Sequence, residues 1–152
     1  MIRRKINMIR DLRLDDRNVF LSMVKDFYSS DAVAHSVDPQ HFEATFAAAM
    51  EKSPFLRALM MEEEGKPAGY ALLSFTYSNE AGGLVVLIEE VYLSEACRGM
   101  GYGHQFFEFL EQEYPSAKRF RLEARKENEN AIRLYQRLGY EVLDYLQMVK
   151  DA

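Results

Sequence analysis

Residues 84–103 read LVVLIEEVYLSEACRGMGYG. The first half, Leu84 to Leu93, is the most apolar strand-like run of the chain, interrupted only by Glu89 and Glu90. A run of this length, bounded by turn residues, predicts a central strand buried on both faces. The second half turns basic and glycine-rich over Arg98-Gly99-Met100-Gly101-Tyr102-Gly103. Beyond it Phe106, Phe107, Leu110 and Tyr114 recur at helical spacing until Pro115. A buried strand that runs into a glycine turn and opens a helix is an anion site in outline. Free N–H groups at the helix start point outward, the helix dipole adds partial positive charge, and absent side chains let a phosphate approach. Arg98 adds donors suited to phosphate oxygens.

Two common glycine-loop chemistries do not fit. A P-loop ends in Gly-Lys-Ser/Thr, whereas Gly103 precedes His104 and Gln105. A dinucleotide fingerprint needs a third glycine where His104 stands.

Working outward, Ile6, Met8, Leu12 and Leu14 share one parity and predict a first strand. Asp15 and Asp16 are cap candidates for a helix carrying Val19, Phe20, Met23, Val24, Phe27 and Tyr28. Asp38-Pro39 starts a second helix with Phe42, Phe46, Ala49 and Met50 on its stripe. Strands are expected at Phe55 to Glu62 and Ala68 to Tyr77, around a turn at Gly65. Downstream, Arg119 to Arg125 alternates as a half-buried strand, and Ala131, Leu134, Tyr135 and Leu138 mark another helix closed by Gly139. Val142 to Val149 predicts a last strand. The order β-α-α-β-β-β-α-β-α-β implies one α/β (α+β) domain over residues 1–152, a mixed sheet with helices on its faces.

The 152 residues carry a formal net charge of -5 and are 48% hydrophobic. That is core enough for one domain, and it disfavours nucleic-acid binding, which needs clustered Lys and Arg. The single cysteine, Cys97, and the scattered His35, His41 and His104 supply no metal-ligand spacing, so no metal is expected. Arg3, Arg4 and Lys5 are not followed by an apolar signal core, and no run reaches membrane-spanning length, which predicts a cytoplasmic protein with no membrane partner.

Arg98 to Gly103 resembles the R/Q-x-x-G-x-G/A motif of the GNAT superfamily of N-acetyltransferases. A second segment, Asn128-Glu129-Asn130-Ala131-Ile132-Arg133-Leu134-Tyr135-Gln136-Arg137-Leu138-Gly139-Tyr140, resembles that family's N-x-x-A-x-x-L/F-Y-x-x-x-G-F/Y segment. The resemblance spans nearly the whole chain and is closest to bacterial, small-molecule-type members. It implies the GNAT fold: a mostly antiparallel sheet of six to seven strands, splayed between the fourth and fifth, with four helices. It implies acetyl-CoA as co-substrate and a small-molecule amine as acceptor, and family habit adds a homodimer.

Residue by residue, the resemblance implies that the main chain of Val91, Tyr92 and Leu93 pairs with the pantetheine arm like an added strand. The Val91 N–H would face the thioester carbonyl. Arg98, Gly99, Met100, Gly101, Tyr102, Gly103 and His104 would bind the pyrophosphate, with Gly101 and Gly103 the most constrained. Asn128 would contact pantetheine or cap its helix. Tyr135 would be the general acid toward the coenzyme sulfur.

An alkyl ammonium has no lone pair, and deprotonating it at pH 7 costs about 4.6 kcal/mol. A base is therefore needed, and a carboxylate within an apolar strand is costly unless paired or functional. Glu89 is the first candidate. Glu90 takes the role if a bulge shifts the parity, since in a regular strand the two face opposite sides. Phe27, Tyr28, Phe75 and Tyr77 are candidate walls of the acceptor pocket. The alternative function is a catalytically silent acyl-CoA-binding sensor or partner subunit with the same fold.

Overall fold

The computed structural model describes residues 4–152, so Arg3 of the basic run lies outside the described residues. Five strands form one sheet in the order β1-β2-β3-β4-β5: β1 (Met8–Asp11), β2 (Leu56–Glu63), β3 (Lys66–Ser78), β4 (Gly83–Leu93) and β5 (Arg119–Leu122). The first three pairings are antiparallel and β4–β5 is parallel. Four α-helices accompany it: α1 (Arg17–Tyr28), α2 (Pro39–Met50), α3 (Tyr102–Glu113) and α4 (Glu129–Arg137). None of them is long and apolar enough to cross a membrane.

The sheet is covered on both sides, and strand parity divides its residues between two cores. Ala58, Met60, Tyr70 and Tyr92 pack with Phe20, Met23, Val24, Phe42 and Phe46 under α1 and α2. Leu59, Met61, Ala71, Leu73, Val86 and Ile88 pack with Phe106, Phe107 and Leu110 of α3. Because both parities of β2 and β3 are buried, these strands read as continuous apolar runs. Full burial of each Val, Leu, Ile, Met or Phe side chain among them stabilises the fold by about 1.5–3 kcal/mol.

Local chemistry ends the helices where the sequence predicts. Asp38 accepts a hydrogen bond from the Gln40 N–H (2.9 Å), with Pro39 opening α2. After α4, Gly139 has φ +94°, its N–H donates to the Gln136 carbonyl, and the Tyr140 N–H donates to the Tyr135 carbonyl. This is a Schellman closure, with the Tyr135 and Tyr140 rings 6.1 Å apart as its apolar contact. Asp16 does stand before α1, but its side chain makes no cap bond. Its buried carboxylate instead accepts from both terminal nitrogens of Arg10 (2.7 and 3.0 Å) and from the Arg13 N–H (2.7 Å), tying β1 to α1.

Three expectations need correction. Among the described residues the sheet has five strands, not six or seven. The strand expected at Val142 to Val149 does not form: there is no ladder, and Val142, Leu146, Met148 and Val149 are all more than four-fifths exposed. Apolar, β-prone composition specifies a strand only where an edge takes it up. The first strand is also shorter than its pattern, since Leu14 leaves it for a short 3-10 turn and is exposed.

The Arg10 guanidinium, and then the Arg13 N–H, hold the Asp16 carboxyl below the usual carboxylate range. A depressed folded-state pKa contributes stability above the unfolded pKa and loses it as pH falls through the folded one. Asp16→Ala should therefore cost about 2–3 kcal/mol in urea unfolding at neutral pH. The gap to the wild type should close as pH falls through the depressed Asp16 pKa.

Candidate active site

The site is set by a defect in β4. Ile88 pairs with Leu73 and Glu90 pairs with Leu72, so Glu89 is an extra residue with no partner on β3. A bulge of this kind bends its strand and re-aims side chains. Its neighbours show where it sends them. Glu90 Oε2 accepts from the Tyr28 hydroxyl (2.5 Å) and Oε1 from the Tyr70 hydroxyl (2.7 Å). Glu89 Oε1 accepts from Ser74 Oγ (2.7 Å). Tyr70, Leu72 and Ser74 share one parity of β3, the side facing α1 and α2. Both carboxylates therefore lie on the same face, contrary to the regular-strand expectation that only one could.

The two carboxylates differ in accessibility. Glu89 is exposed, and Ser74 is its hydrogen-bond partner. Glu90 is partly buried and held by two tyrosines. Burial pushes the Glu90 carboxyl up, the two hydroxyl hydrogen bonds oppose this, and the nearby Glu89 charge adds to it. Burial and the Glu90 carboxylate together push the Tyr28 hydroxyl well above its ordinary value. Neither Arg121 nor Arg125 pairs with these acids. Arg125 donates instead to the Asp31 and Val33 carbonyls, joining the loop before α4 to the loop after α1.

Past the bulge β4 outlasts its neighbour. The parallel ladder with β5 covers only Val85 to Ile88, so residues 90–93 pair with β3 alone. The direction of their backbone groups follows from three contacts. The Tyr92 carbonyl oxygen lies 2.1 Å from where a Cβ on Gly69 would stand, so it points to β3. The Ser94 N–H also points there, donating to the Ala68 carbonyl. The Leu93 carbonyl points the other way and accepts from Arg98 Nε (2.9 Å). Strand residues alternate in this respect, which leaves the N–H and C=O of Val91 facing the open side.

The open edge leads into the glycine turn. Gly99 (φ +74°) and Gly101 (φ +80°) are left-handed, with open space for 4 Å around the place a Cβ would take, and Gly101 stands at the N-cap of α3. Gly103 is different. It is helical, and an added Cβ would make an ordinary 3.6 Å contact with Leu134. The constrained pair is thus Gly99 and Gly101, not Gly101 and Gly103. Arg98 lies back over the Tyr92 ring, 5.6 Å to its centroid. Met100 is exposed, whereas Tyr102 is buried beside Cys97 and Ala68. His104 is exposed and meets Glu108 one turn on (3.3 Å).

Asn128 precedes α4 but its side chain makes no cap bond. Tyr135 lies on the α3 side of the sheet, its ring 5.7 Å from Phe107, and burial pushes its hydroxyl up. The structure thus gathers Glu89, Glu90, Tyr28 and Tyr70 on one face and puts Tyr135 on the other, with the open edge of β4 at the boundary. Phe75 does not join the first group, because it packs against Tyr114 on the α3 side; Tyr77 is exposed. The sequence reading missed Tyr70, Ser74 and Gly69. Gly69 had a signal, a glycine within an apolar strand, which marks close backbone approach. Among the described residues no group of three or more His, Cys, Asp or Glu could hold a metal ion.

Removing the Tyr28 hydroxyl tests this network. Glu90 is raised above its unfolded value, so its contribution is present below the unfolded pKa and lost as pH rises through the folded one. Tyr28→Phe removes a bond that stabilises the charged form and should raise Glu90 further. The variant should lose about 1–2 kcal/mol in urea unfolding at pH above the Glu90 titration, and little below it.

Comparison with known proteins gives an independent view. The model of the acetyltransferase (GNAT) family matches residues 20–140. No curated protein sequence matches. Among solved structures, a possible acetyltransferase from Clostridium difficile 630 superposes with a TM-score of 0.82 at 18% identity, covering 97% of this chain and 99% of its own. An aminoglycoside N-acetyltransferase in complex with CoA gives 0.77 at 15% identity, covering 99% of each chain. A predicted acetyltransferase with acetyl-CoA from Clostridium acetobutylicum gives 0.74 at 17% identity, covering 94% of this chain and 95% of its own.

Proposed function

The chain belongs to the acetyltransferase (GNAT) family, and from that premise we propose that it transfers an acetyl group from acetyl-CoA to an amine by direct attack. The observation that carries this reading is the unpaired edge of β4, residues 89–93, running past a bulge into the left-handed turn of Gly99 and Gly101. An extended amide-bearing arm can add to such an edge as a further strand. A diphosphate suits the helix start that follows.

In this reading the Val91, Tyr92 and Leu93 main chain holds the pantetheine arm, with the Val91 N–H donating to the carbonyl oxygen under attack. Residues Arg98 to His104 take the pyrophosphate on N–H groups and the Arg98 guanidinium. Arg98 must then turn from Leu93, or use the donors that the Leu93 bond leaves free. Asn128, free of a capping duty, offers its amide to pantetheine. Acetyl-CoA would supply the activated acyl group as a thioester.

Glu89 is the proposed base, because it is the carboxylate with open access. It takes a proton from the acceptor ammonium at a carboxylate oxygen, directly or through water. Glu90 is the second candidate; held by Tyr28 and Tyr70, it orients both hydroxyls toward the same face. Two carboxylates on one face also favour a cationic acceptor over an anionic one. Tyr135 Oη, kept protonated through the neutral range by burial, is the proton source for the departing sulfur. A cytoplasmic setting goes with this reading, since Cys97 is a lone buried thiol that needs no oxidising compartment.

Thermal unfolding with acetyl-CoA tests the reading. At about 100 times Kd the wild type should gain about 2.7 kcal/mol. Gly101→Glu, which puts a strained, negatively charged side chain at the turn, should gain nothing. Absence of any stabilisation of the wild type overturns the proposal. With an amine acceptor in hand, Glu89→Gln should lower kcat by about 10²-fold or more near pH 7. That loss should shrink as rising pH supplies free amine. Tyr135→Phe should lose turnover with unchanged acetyl-CoA affinity; a wild type that binds acetyl-CoA but acetylates no amine supports the silent sensor instead.

A further inference from the structure

The glycine turn cannot hold its own shape. Gly99 and Gly101 are both left-handed, and nothing lies within 4 Å of where their Cβ atoms would stand. Glycine loses more conformational freedom on ordering than any other residue, so a turn built on it keeps one shape only if its ends are held. The bonds that hold them come from one place. Among the described residues, every hydrogen bond that joins residues 95–105 to the chain before β4 or after α3 is made by Arg4, Ile6 or Glu63.

Glu63, the last residue of β2, is the hub. Its Oε1 accepts from Arg4 Nε (2.6 Å) and its Oε2 from Arg4 Nη2 (2.8 Å), a two-pronged ion pair. Oε2 also accepts from the thiol of Cys97 (3.6 Å), the residue before Arg98. Arg4 Nη1 donates to the carbonyl of Ala96 (3.3 Å), in the short 3-10 turn Glu95–Cys97. The far end of the turn is tied by the same segment. The Ile6 N–H donates to Gln105 Oε1 (3.0 Å) in the first turn of α3. Ile6 also packs on the small buried cluster of Ala68, Cys97 and Tyr102, so it touches both ends.

The ion pair has an electrostatic role as well. A lone carboxylate beside this turn would repel a diphosphate. The hydrogen bond from Arg4 holds the Glu63 carboxyl down to about 2, so it stays ionised, and the guanidinium balances the charge it preserves.

We propose that Glu63, held by Arg4, is a positioning residue for the pyrophosphate of acetyl-CoA: it fixes the start of the glycine turn, so that the N–H groups from Gly99 to His104 are aimed before the ligand arrives. The proposal rests on the reading of the site given above. Its energetic logic is preorganisation, since a turn ordered on folding need not be ordered on binding. Neither Arg4 nor Glu63 belongs to the open edge of β4, so the thioester arm is held independently of them.

Calorimetric titration with acetyl-CoA, then amide hydrogen exchange on each saturated protein, tests it. Glu63→Ala and Arg4→Ala should keep the far-UV circular dichroism of the wild type. Each should raise the Kd for acetyl-CoA by about tenfold, through loss of a charge-assisted pair. At saturation Val91 should be slowed as in the wild type, whereas the slowing from Gly101 to His104 should be largely lost. Variants that bind acetyl-CoA and protect the turn as the wild type does overturn the proposal and leave the acetyl-CoA reading intact. Loss of protection at Val91 and the turn alike also overturns it, because the substitution has then loosened the whole site. A wild type that takes up no acetyl-CoA removes the underlying reading, and the proposal with it.

Discussion

Every backbone N–H and C=O in a sheet needs a partner, and β4 is built so that some of its own do not have one. It runs eleven residues while β5 accompanies it for four. The bulge at Glu89 falls where that companionship ends. From there the outward backbone groups of Val91 and Leu93 must find partners elsewhere. The Leu93 carbonyl finds one in Arg98. Val91 is left facing the opening, and a polar group without a partner is tolerable only where water or a ligand can reach it. The functional reading rests on this one departure from regular pairing.

The same extra residue governs the chemistry of the acceptor side. In a regular strand Glu89 and Glu90 would face opposite cores, and one would lie among Leu73, Ile88 and Phe107. The bulge instead brings both to the face of α1, where hydroxyls of Tyr28, Tyr70 and Ser74 meet them. The adjacent charges repel, which is one cause of the raised Glu90 carboxyl. Such a pair persists because three hydroxyl hydrogen bonds and the exposure of Glu89 offset part of that repulsion. On the other face, α4 is held in place by Leu134 against the start of α3 and by the Gly139 closure. That holds Tyr135 against Phe107 on the α3 side of the sheet.

What could be read from sequence was what depends on neighbours along the chain. Asp38-Pro39 marked the start of α2 and Gly139 the end of α4, because capping is local. The apolar runs of β2, β3 and β4 announced a sheet covered on both faces. The glycines of Arg98 to Gly103 announced a turn that opens a helix, α3. Features that depend on pairing between distant strands were not legible. Nothing in residues 84–93 says that Glu89 is the unpaired one; that is settled by where Leu72 and Leu73 fall across the ladder. Gly69 is needed only because the Tyr92 carbonyl comes so close. Val142 to Val149 carried a composition suited to a strand, but composition does not say whether an edge will take it up.

The central claim is that acetyl-CoA adds to the open stretch of β4. The most direct measurement is amide-resolved hydrogen exchange with and without saturating acetyl-CoA. The expected result is strong slowing at Val91 together with the turn from Gly101 to His104, while amides of β1 and β2 are unchanged. Saturable binding that leaves Val91 exchanging as in the free protein would contradict the claim, because the ligand would then be held without the backbone edge that the bulge opens.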